Sequence, residues 1–361
     1  MRAPVFALLA GGGTGGHTYP AVALAQELVG RGRASADVRF VGGRRGPEGR
    51  IVTGAGFEID LLPGRGLQRK LTLANVGVVV QTVTAFWRAL GIVRRYRPRV
   101  VVGFGGYASL PALVAAWVWR VPRVVHEQDS VMGLANRIAA RLGARVAFSL
   151  PGAEFPGAIV TGNPVRSQFA ALVRAPATPA LVAAFGGALG AGSINAATLD
   201  LYDRWRHRTD VAIHHVVGDR NLVECDARLA ALRREDDTLA YTLVGYEEHM
   251  DQLLARASLA VCRAGAGTVA ELAAAGLPSV LVPLPGAPSD HQTRNARTLE
   301  DAGAAVTLLD ADCRAERLDP MLAELLVDPE RLRQMSGAAR ALARPDAAAR
   351  LADLVEAVAR G

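Results

Sequence analysis

The stretch PVFALLAGGGTGGHTYPAVALAQEL, Pro4 to Leu28, decides how the chain is read. Pro4 to Ala10 is apolar throughout, as in a strand buried on both faces of a parallel sheet. GGGTGGH, Gly11 to His17, follows at once, and Pro20 stands where a helix would begin. Glycines at such a junction let the backbone approach a ligand closely, and the N–H groups of the helix N-terminus attract an anion such as a diphosphate. The letters also fit GxGxxG over Gly11 to Gly16, so a dinucleotide site is a rival reading. Against it stand the titratable His17 in the loop and a second strand in which Phe40 and Val41 run into Gly42 and Gly43, with no acidic residue for a ribose.

Outward from this stretch, short β-rich runs alternate with helical patterns. In the first half the runs are Pro4 to Ala10, Val38 to Val41, Glu58 to Leu62, Val100 to Gly103, Arg123 to His126 and Arg145 to Phe148. Amphipathic stretches lie between them at Pro20 to Arg31, Thr82 to Tyr96, Leu110 to Trp119 and Leu134 to Leu142. The pattern restarts after Pro156 to Ser167 and the linker-like RAPATP, Arg174 to Pro179, with runs at Leu181, Val211, Thr238, Leu259, Ser279 and Ala304. The expectation is an α/β chain of two Rossmann-like doubly wound domains, residues 1–165 and 166–361, facing across a cleft that holds the site. Pro329 to Arg360 reads as helical throughout and is expected to pack back on the first domain.

Two further glycine turns follow strands. GFGGY spans Gly103 to Tyr107 and GGALGAGS spans Gly186 to Ser193. One such turn is as often a plain strand-to-helix corner; three of them, two in the first half and one in the second, favour two phosphate-bearing ligands. RAGAGTVAEL, Arg263 to Leu272, admits two readings. Thr268 and Glu271 have the spacing of a capping box. Alternatively the N–H groups of Ala266, Gly267 and Thr268 hold a nucleotide diphosphate while Glu271 accepts from ribose hydroxyls. SDHQTRNA, Ser289 to Ala296, gathers sugar-binding side chains or simply opens a solvated helix.

With 361 residues and 50% apolar content the chain has ample material for two cores, which excludes a disordered or collagen-like protein. Cys225, Cys262 and Cys313 show no metal-ligand spacing, so a reduced cytoplasmic setting without structural zinc is the default. No apolar run reaches the roughly 18 residues needed to span a bilayer. The net charge of +7 is uneven: 20 basic and 8 acidic side chains precede Arg166, against 21 and 26 from there on. A basic first half points to an acidic polymer or an anionic membrane, or to a bias towards arginine in a chain whose one lysine is Lys70. No recognised nucleic-acid signature accompanies it, so no nucleic-acid partner is expected.

GGGTGGHTYPAVALAQEL, GFGGYASLPALVAAW, VVHEQDSVMGLANR, TGNPVR, GGALGA, CRAGAGTVAELAAAGLP and DHQTRNA, in this order, resemble the MurG family over about Pro4 to Ala302. These are GT-B glycosyltransferases that move N-acetylglucosamine from UDP-N-acetylglucosamine to the undecaprenyl-diphosphate-linked muramyl pentapeptide, lipid I, making lipid II for the cell wall and hence for cell shape and division. The resemblance implies that Thr14, Gly15 and Gly16, with Gly105, Gly106 and Tyr107 beside them, face the acceptor diphosphate. It places His17 as the general base for the muramyl C4 hydroxyl, Arg166 near the uracil, Ala266, Gly267 and Thr268 at the donor diphosphate, Glu271 on the ribose and Gln292 on the sugar. It further implies an inverting reaction with no metal and no cofactor, in keeping with the lack of a DxD pair near the glycine turns.

Two positions depart from the family pattern. Ala188 stands where the family has a serine at the donor phosphate, and Asp129 where it has an asparagine that can donate as well as accept. They keep open a related GT-B enzyme with another donor or acceptor. A non-catalytic scaffold of the same fold is disfavoured by His17, Glu271 and Gln292 occurring together. Finally, Arg65 to Arg99 combines an apolar run, with Phe86 and Trp87 beside it, with Arg65, Arg69, Lys70, Arg88, Arg94, Arg95, Arg97 and Arg99. Part of it must be a core helix; the resemblance implies that the rest docks peripherally on the cytoplasmic face of the membrane.

Overall fold

The computed structural model describes residues 4–64, 74–150, 155–187 and 189–361. It divides into two compact units, Met1–Arg166 together with Arg344–Gly361, and Ser167–Ala343.

Among the described residues the first unit holds a wholly parallel sheet of β1 (Ala7–Ala10), β2 (Val38–Gly43), β3 (Glu58–Leu62), β4 (Val100–Gly103), β5 (Arg123–Glu127), β6 (Arg145–Phe148) and β7 (Ile159–Val160). Their spatial order is β3-β2-β1-β4-β5-β6-β7. The helices between are α1 (Gly15–Gly30), α2 (Glu48–Gly54), α3 (Ala74–Tyr96), α4 (Ser109–Val118) and α5 (Leu134–Arg141). Ala7 pairs with Val38 on one side and Val100 on the other, which makes β1 a central strand.

The period-2 pleat explains why β1 is apolar at every position. Leu9 turns to the face packed by Leu24 and Leu28 of α1, whereas Leu8 and Ala10 turn to the face packed by Ala85, Ala89 and Val93 of α3 and by Leu113 of α4. Leu8, Leu9 and Ala10 are fully buried, so a polar residue at any of these positions would lose its solvation.

The second unit repeats the plan. Its strands are β8 (Ala180–Phe185), β9 (Val211–Val216), β10 (Ala240–Val244), β11 (Leu259–Cys262), β12 (Ser279–Leu281) and β13 (Ala305–Thr307), in the order β10-β9-β8-β11-β12-β13. The helices are α6 (Ser167–Ala170), α7 (Gly192–Trp205), α8 (Leu222–Leu232), α9 (Met250–Arg256), α10 (Ala266–Ala275), α11 (His291–Asp301), α12 (Ala315–Leu326) and α13 (Pro329–Leu342). Counted within each unit, the second order runs 3-2-1-4-5-6 and the first the same with a seventh strand added at the edge, the dinucleotide-fold arrangement in which direction reverses between the first and fourth strands.

Two helix limits differ from the sequence reading. First, α1 begins at Gly15, so Pro20 lies inside it and His17 belongs to its first turn rather than to the loop. Pro20, the sixth residue of the helix, has no N–H to give the carbonyl of Gly16, so α1 lacks one intrahelical bond there. Second, the C-terminal stretch is broken at residues 343–346 into α13 and α14 (Ala347–Arg360). Ala343, the C-cap of α13, leaves the helix with ψ 145°, and Pro345 then keeps Arg344 before it out of helical angles. Leu351, Ala352 and Val355 of α14 are buried in the α1 layer of the first unit.

Candidate functional site

Ligands of open parallel sheets bind beyond the strand carboxyl ends at the point of reversal. In the first unit that point lies between β1 and β4, and both glycine turns of that half emerge there. Thr14 takes extended angles (φ −147°, ψ 160°) as the N-cap of α1, with no hydrogen bond from its own side chain to the helix N–H groups. The first-turn N–H groups of Gly15 and Gly16 therefore lack intrahelical acceptors at the positive end of a sixteen-residue helix.

The two turns pack backbone to backbone. Gly106 has φ +77°, and a Cβ there would lie 1.9 Å from the carbonyl oxygen of Gly12. A Cβ on Gly105 would come 3.3 Å from Nε2 of His17. His17 is half-buried and its Nδ1 lies 2.9 Å from the Gly12 carbonyl oxygen, with Thr14 Oγ1 at 3.3 Å. A carbonyl can only accept, so Nδ1 carries a proton, and in the neutral ring the lone pair then lies on Nε2, on the edge facing Gly105.

Tyr19 lies one turn below, its ring 3.1 Å from where a Cβ of Gly15 would stand, and the Arg166 guanidinium sits 4.7 Å over that ring. Arg166 thus belongs to the first unit, beside the α1 N-terminus. The hydroxyl of Tyr107 is pushed above its usual range by burial and by the charge of Glu48.

At the end of β5, His126 and Glu127 are buried. His126 Nε2 donates to the Gly162 carbonyl at 2.9 Å and Nδ1 accepts from Gln128 Nε2 at 3.0 Å. Burial of this ring lowers its pKa to about 4. Glu127 Oε2 accepts from the N–H of Gly133 at 2.8 Å and from Asn136 Nδ2 at 2.9 Å, yet burial outweighs these bonds and raises its pKa to about 7. Asp129, half-buried, donates its backbone N–H to Glu127 Oε1 at 3.4 Å.

In the second unit the reversal lies between β8 and β11. The β8 turn closes tightly, since a Cβ on Gly190 (φ +69°) would stand 1.9 Å from the Val217 carbonyl oxygen, and α7 opens two residues later. Ala188 lies outside the described residues. After β11, Gly265 is the N-cap of α10, again without a side-chain cap, so Ala266, Gly267 and Thr268 supply the first-turn N–H groups. Thr268 stands inside the helix rather than at its cap, and with Glu271 a turn further on the capping-box reading does not hold. Gln292, in the first turn of α11, accepts from the Leu284 N–H at 3.0 Å, which ties the turn after β12 to that helix.

Three residues escaped the sequence reading. Arg263 ends β11, where its Nη1 lies 2.5 Å from Asp310 Oδ1 and its Nη2 3.2 Å from Ser193 Oγ in the first turn of α7. Ser193 Oγ donates to the same Asp310 oxygen at 2.5 Å. A half-buried cation is thereby held at the carboxyl end of the second sheet, between two helix N-termini. Its position at a strand end just before a glycine turn was the available signal; its partners, 70 and 47 residues away, gave none.

Both units match known protein families. Residues 7–148 match the glycosyltransferase family 28 N-terminal domain and residues 181–351 its C-terminal domain. A UDP-N-acetylglucosamine--N-acetylmuramyl-(pentapeptide) pyrophosphoryl-undecaprenol N-acetylglucosamine transferase of Alkalilimnicola ehrlichii is 41% identical over 362 residues, covering 98% of each chain. The transferase of the same name from Salinibacter ruber is 39% identical, covering 99% of this chain and 98% of its own. The crystal structure of Acinetobacter baumannii MurG superposes with a TM-score of 0.76 at 29% identity, covering 98% of this chain and all of the other. The kitacinnamycin glycosyltransferase, at 18% identity and TM-score 0.72 with 98% and 99% covered, shares the fold. Two units of dinucleotide-fold order, a helix N-terminus at each reversal point and relatedness over the whole length place the chain in the MurG family of GT-B glycosyltransferases.

Proposed function

We propose that the protein transfers N-acetylglucosamine from UDP-N-acetylglucosamine to the C4 hydroxyl of the muramyl sugar of lipid I, with His17 as the general base. The observation that carries this reading is the Nδ1 contact of His17 with the Gly12 carbonyl, which leaves Nε2 as the proton acceptor beside a helix N-terminus suited to a diphosphate.

In that reaction Nε2 takes the C4 hydroxyl proton while O4 forms a bond to the sugar anomeric carbon. The bond from that carbon to the β-phosphate oxygen breaks, and UDP departs with the electron pair, inverting the centre. The first-turn N–H groups of α1 hold the acceptor diphosphate. Those of α10, with Arg263, take up the charge growing on the leaving diphosphate, the kind of fixed electrostatic stabilisation that lowers barriers most. Glu271 and Gln292 are assigned to the ribose and the sugar hydroxyls.

The membrane side of the proposal rests on α3. Ala85, Ala89, Val93 and Tyr96 are buried in the core, while Val80, Val83 and Trp87 form a second apolar stripe facing outwards, with Trp87 71% exposed. Exposed Trp117, Val118 and Trp119 at the end of α4 adjoin it, since Trp119 Nε1 donates to the Leu90 carbonyl at 3.2 Å and Arg94 lies 5.8 Å over the Trp119 ring. Arg88, Arg94 and Arg95 are exposed on the same helix; Arg65, Arg69 and Lys70 lie outside the described residues. Apolar rings flanked by arginines suit the peripheral surface of an anionic membrane. No described helix is long and apolar enough to cross one.

Purified protein given UDP-N-acetylglucosamine and a short-chain lipid I analogue is expected to release UDP and form the disaccharide. His17→Ala should lower kcat by about 10²–10⁴-fold, the usual value of a positioned base. No disaccharide from the wild type would overturn the reaction; an unchanged kcat in His17→Ala would overturn the role of His17.

A further inference from the structure

Glu48 is the first residue of the short helix α2 and is 1% exposed, an unusual burial for a carboxylate. Its Oε1 accepts from the backbone N–H of Gly13. Its Oε2 is buried with no hydrogen-bond partner among the described residues. The surrounding glycines make room for it, since a Cβ on Gly12 would stand 2.6 Å from Oε1 and one on Gly42 would stand 3.0 Å from the Glu48 Cβ.

The Gly13 N–H belongs to the same peptide group as the Gly12 carbonyl, which accepts from His17 Nδ1. One amide plane is therefore gripped at both ends, by a carboxylate on its N–H and by an imidazole on its oxygen. Hydrogen bonds in such a chain polarise one another: an anion on the N–H makes the carbonyl oxygen a stronger acceptor. In the serine-protease triad a carboxylate bonds directly to Nδ1–H, fixing the tautomer and stabilising the imidazolium.

We infer that Glu48 is a positioning residue for His17 that acts through the Gly12–Gly13 peptide group, fixing the Nδ1–H tautomer and favouring protonation at Nε2. This rests on the proposed role of His17 as base. When Nε2 takes the substrate proton, Nδ1–H stays on the Gly12 oxygen and the new positive charge is met across the amide by the Glu48 anion. The buried carboxylate, a cost by itself, is then accounted for by the charge it offsets during turnover.

Other ionisable groups face this assembly. Tyr107 comes from the turn after β4, and its hydroxyl feels both Glu48 and Arg45 of the loop before α2. Glu127, at about 7, is bonded to Asn136, whose amide nitrogen lies 3.7 Å from where a Cβ of Gly105 would stand. A pH profile of activity alone would mix these groups, so the test reads the imidazole itself.

Full-length protein labelled with 15N-histidine is titrated by NMR, with the His17 signals assigned by their loss in His17→Gln. The wild type is expected to show the Nδ1–H tautomer. In Glu48→Gln, similar in shape but neutral, the His17 midpoint should fall by about 0.5–1 pH unit, as expected for removal of one nearby anion. The acid limb of kcat/KM should move down by a similar amount, with the KM for UDP-N-acetylglucosamine unchanged, and Glu48→Asp should recover part of the shift.

An unmoved or raised midpoint in Glu48→Gln overturns the inference. So does an Nε2–H tautomer in the wild type, a measurement that stands even if no Glu48 variant folds. If His17→Gln keeps full activity while the Glu48→Gln midpoint still falls, the base assignment fails and the coupling survives.

Discussion

Glu127 and its neighbour His126 carry opposite consequences for pH. The carboxyl of Glu127, raised to about 7 chiefly by burial, binds its proton more tightly folded than unfolded, so stability is lost as pH rises from about 4.5 to 7. Buried His126 and His215, lowered to about 4 and about 3, refuse a proton that the unfolded chain accepts, so their contribution is lost as pH falls from 6.5 towards those values. Glu127→Gln keeps one oxygen for the Gly133 and Asn136 donors and removes the first penalty. It is expected to raise the urea-unfolding free energy of the first unit by about 1–3 kcal/mol at pH 8, with the difference vanishing below about pH 4.5. At this scale the sequence displayed what is written locally: His17 among glycines, and Ala266 to Thr268 at a helix start. Glu48 was invisible because its partner, Gly13, is 35 residues away and its helix is too short and polar to declare a buried face.

Among the elements, α3 shows what periodicity can and cannot reveal. Ala85, Ala89, Val93 and Tyr96 recur at helical spacing and mark the core face, but Val80, Val83 and Trp87 recur with the same period on the opposite face. A helix apolar on both sides reads from sequence as wholly buried or membrane-facing; only the packing of α4 separates the two stripes. Substituting Trp87→Glu and Val83→Glu together should reduce sedimentation with phosphatidylglycerol vesicles at least about tenfold, since each puts a charge into the exposed apolar stripe proposed to meet lipid. UDP affinity and the melting temperature should stay within error, because both side chains are exposed. The α1 boundary was misplaced for a related reason: Pro20 is a good start signal, but the glycines before it already accept helical angles, and the helix extends back to Gly15.

For the whole molecule, the alternation of strands and helices showed two doubly wound units, whereas strand order is written in no single stretch. It is set by the crossovers that carry β4 and β11 back beside β1 and β8, bringing the glycine turns of each unit together. From sequence, Pro329 to Arg360 reads as one helical stretch packing back; only its second part, α14, joins the first unit. Deleting residues 347–361 strips Leu351, Ala352 and Val355 from the α1 layer, a loss of roughly 5 kcal/mol at about 1.5–3 kcal/mol per larger side chain. Hydrogen exchange should then show β1 to β6 losing protection while β8 to β13 keep theirs; equal loss in both units would mean that they fold as one.

That same helix sets an order of assembly on the ribosome. The second unit is one uninterrupted segment, Ser167–Ala343, and has all its strands once Ala343 has emerged. The first unit, though translated earlier, waits with the apolar stripe of α1 uncovered until Ala347–Arg360 arrives, nearly two hundred residues after β6. The half of the chain made first is therefore the last to close, and until then it depends on chaperones or on speed to keep Leu24 and Leu28 out of aggregates.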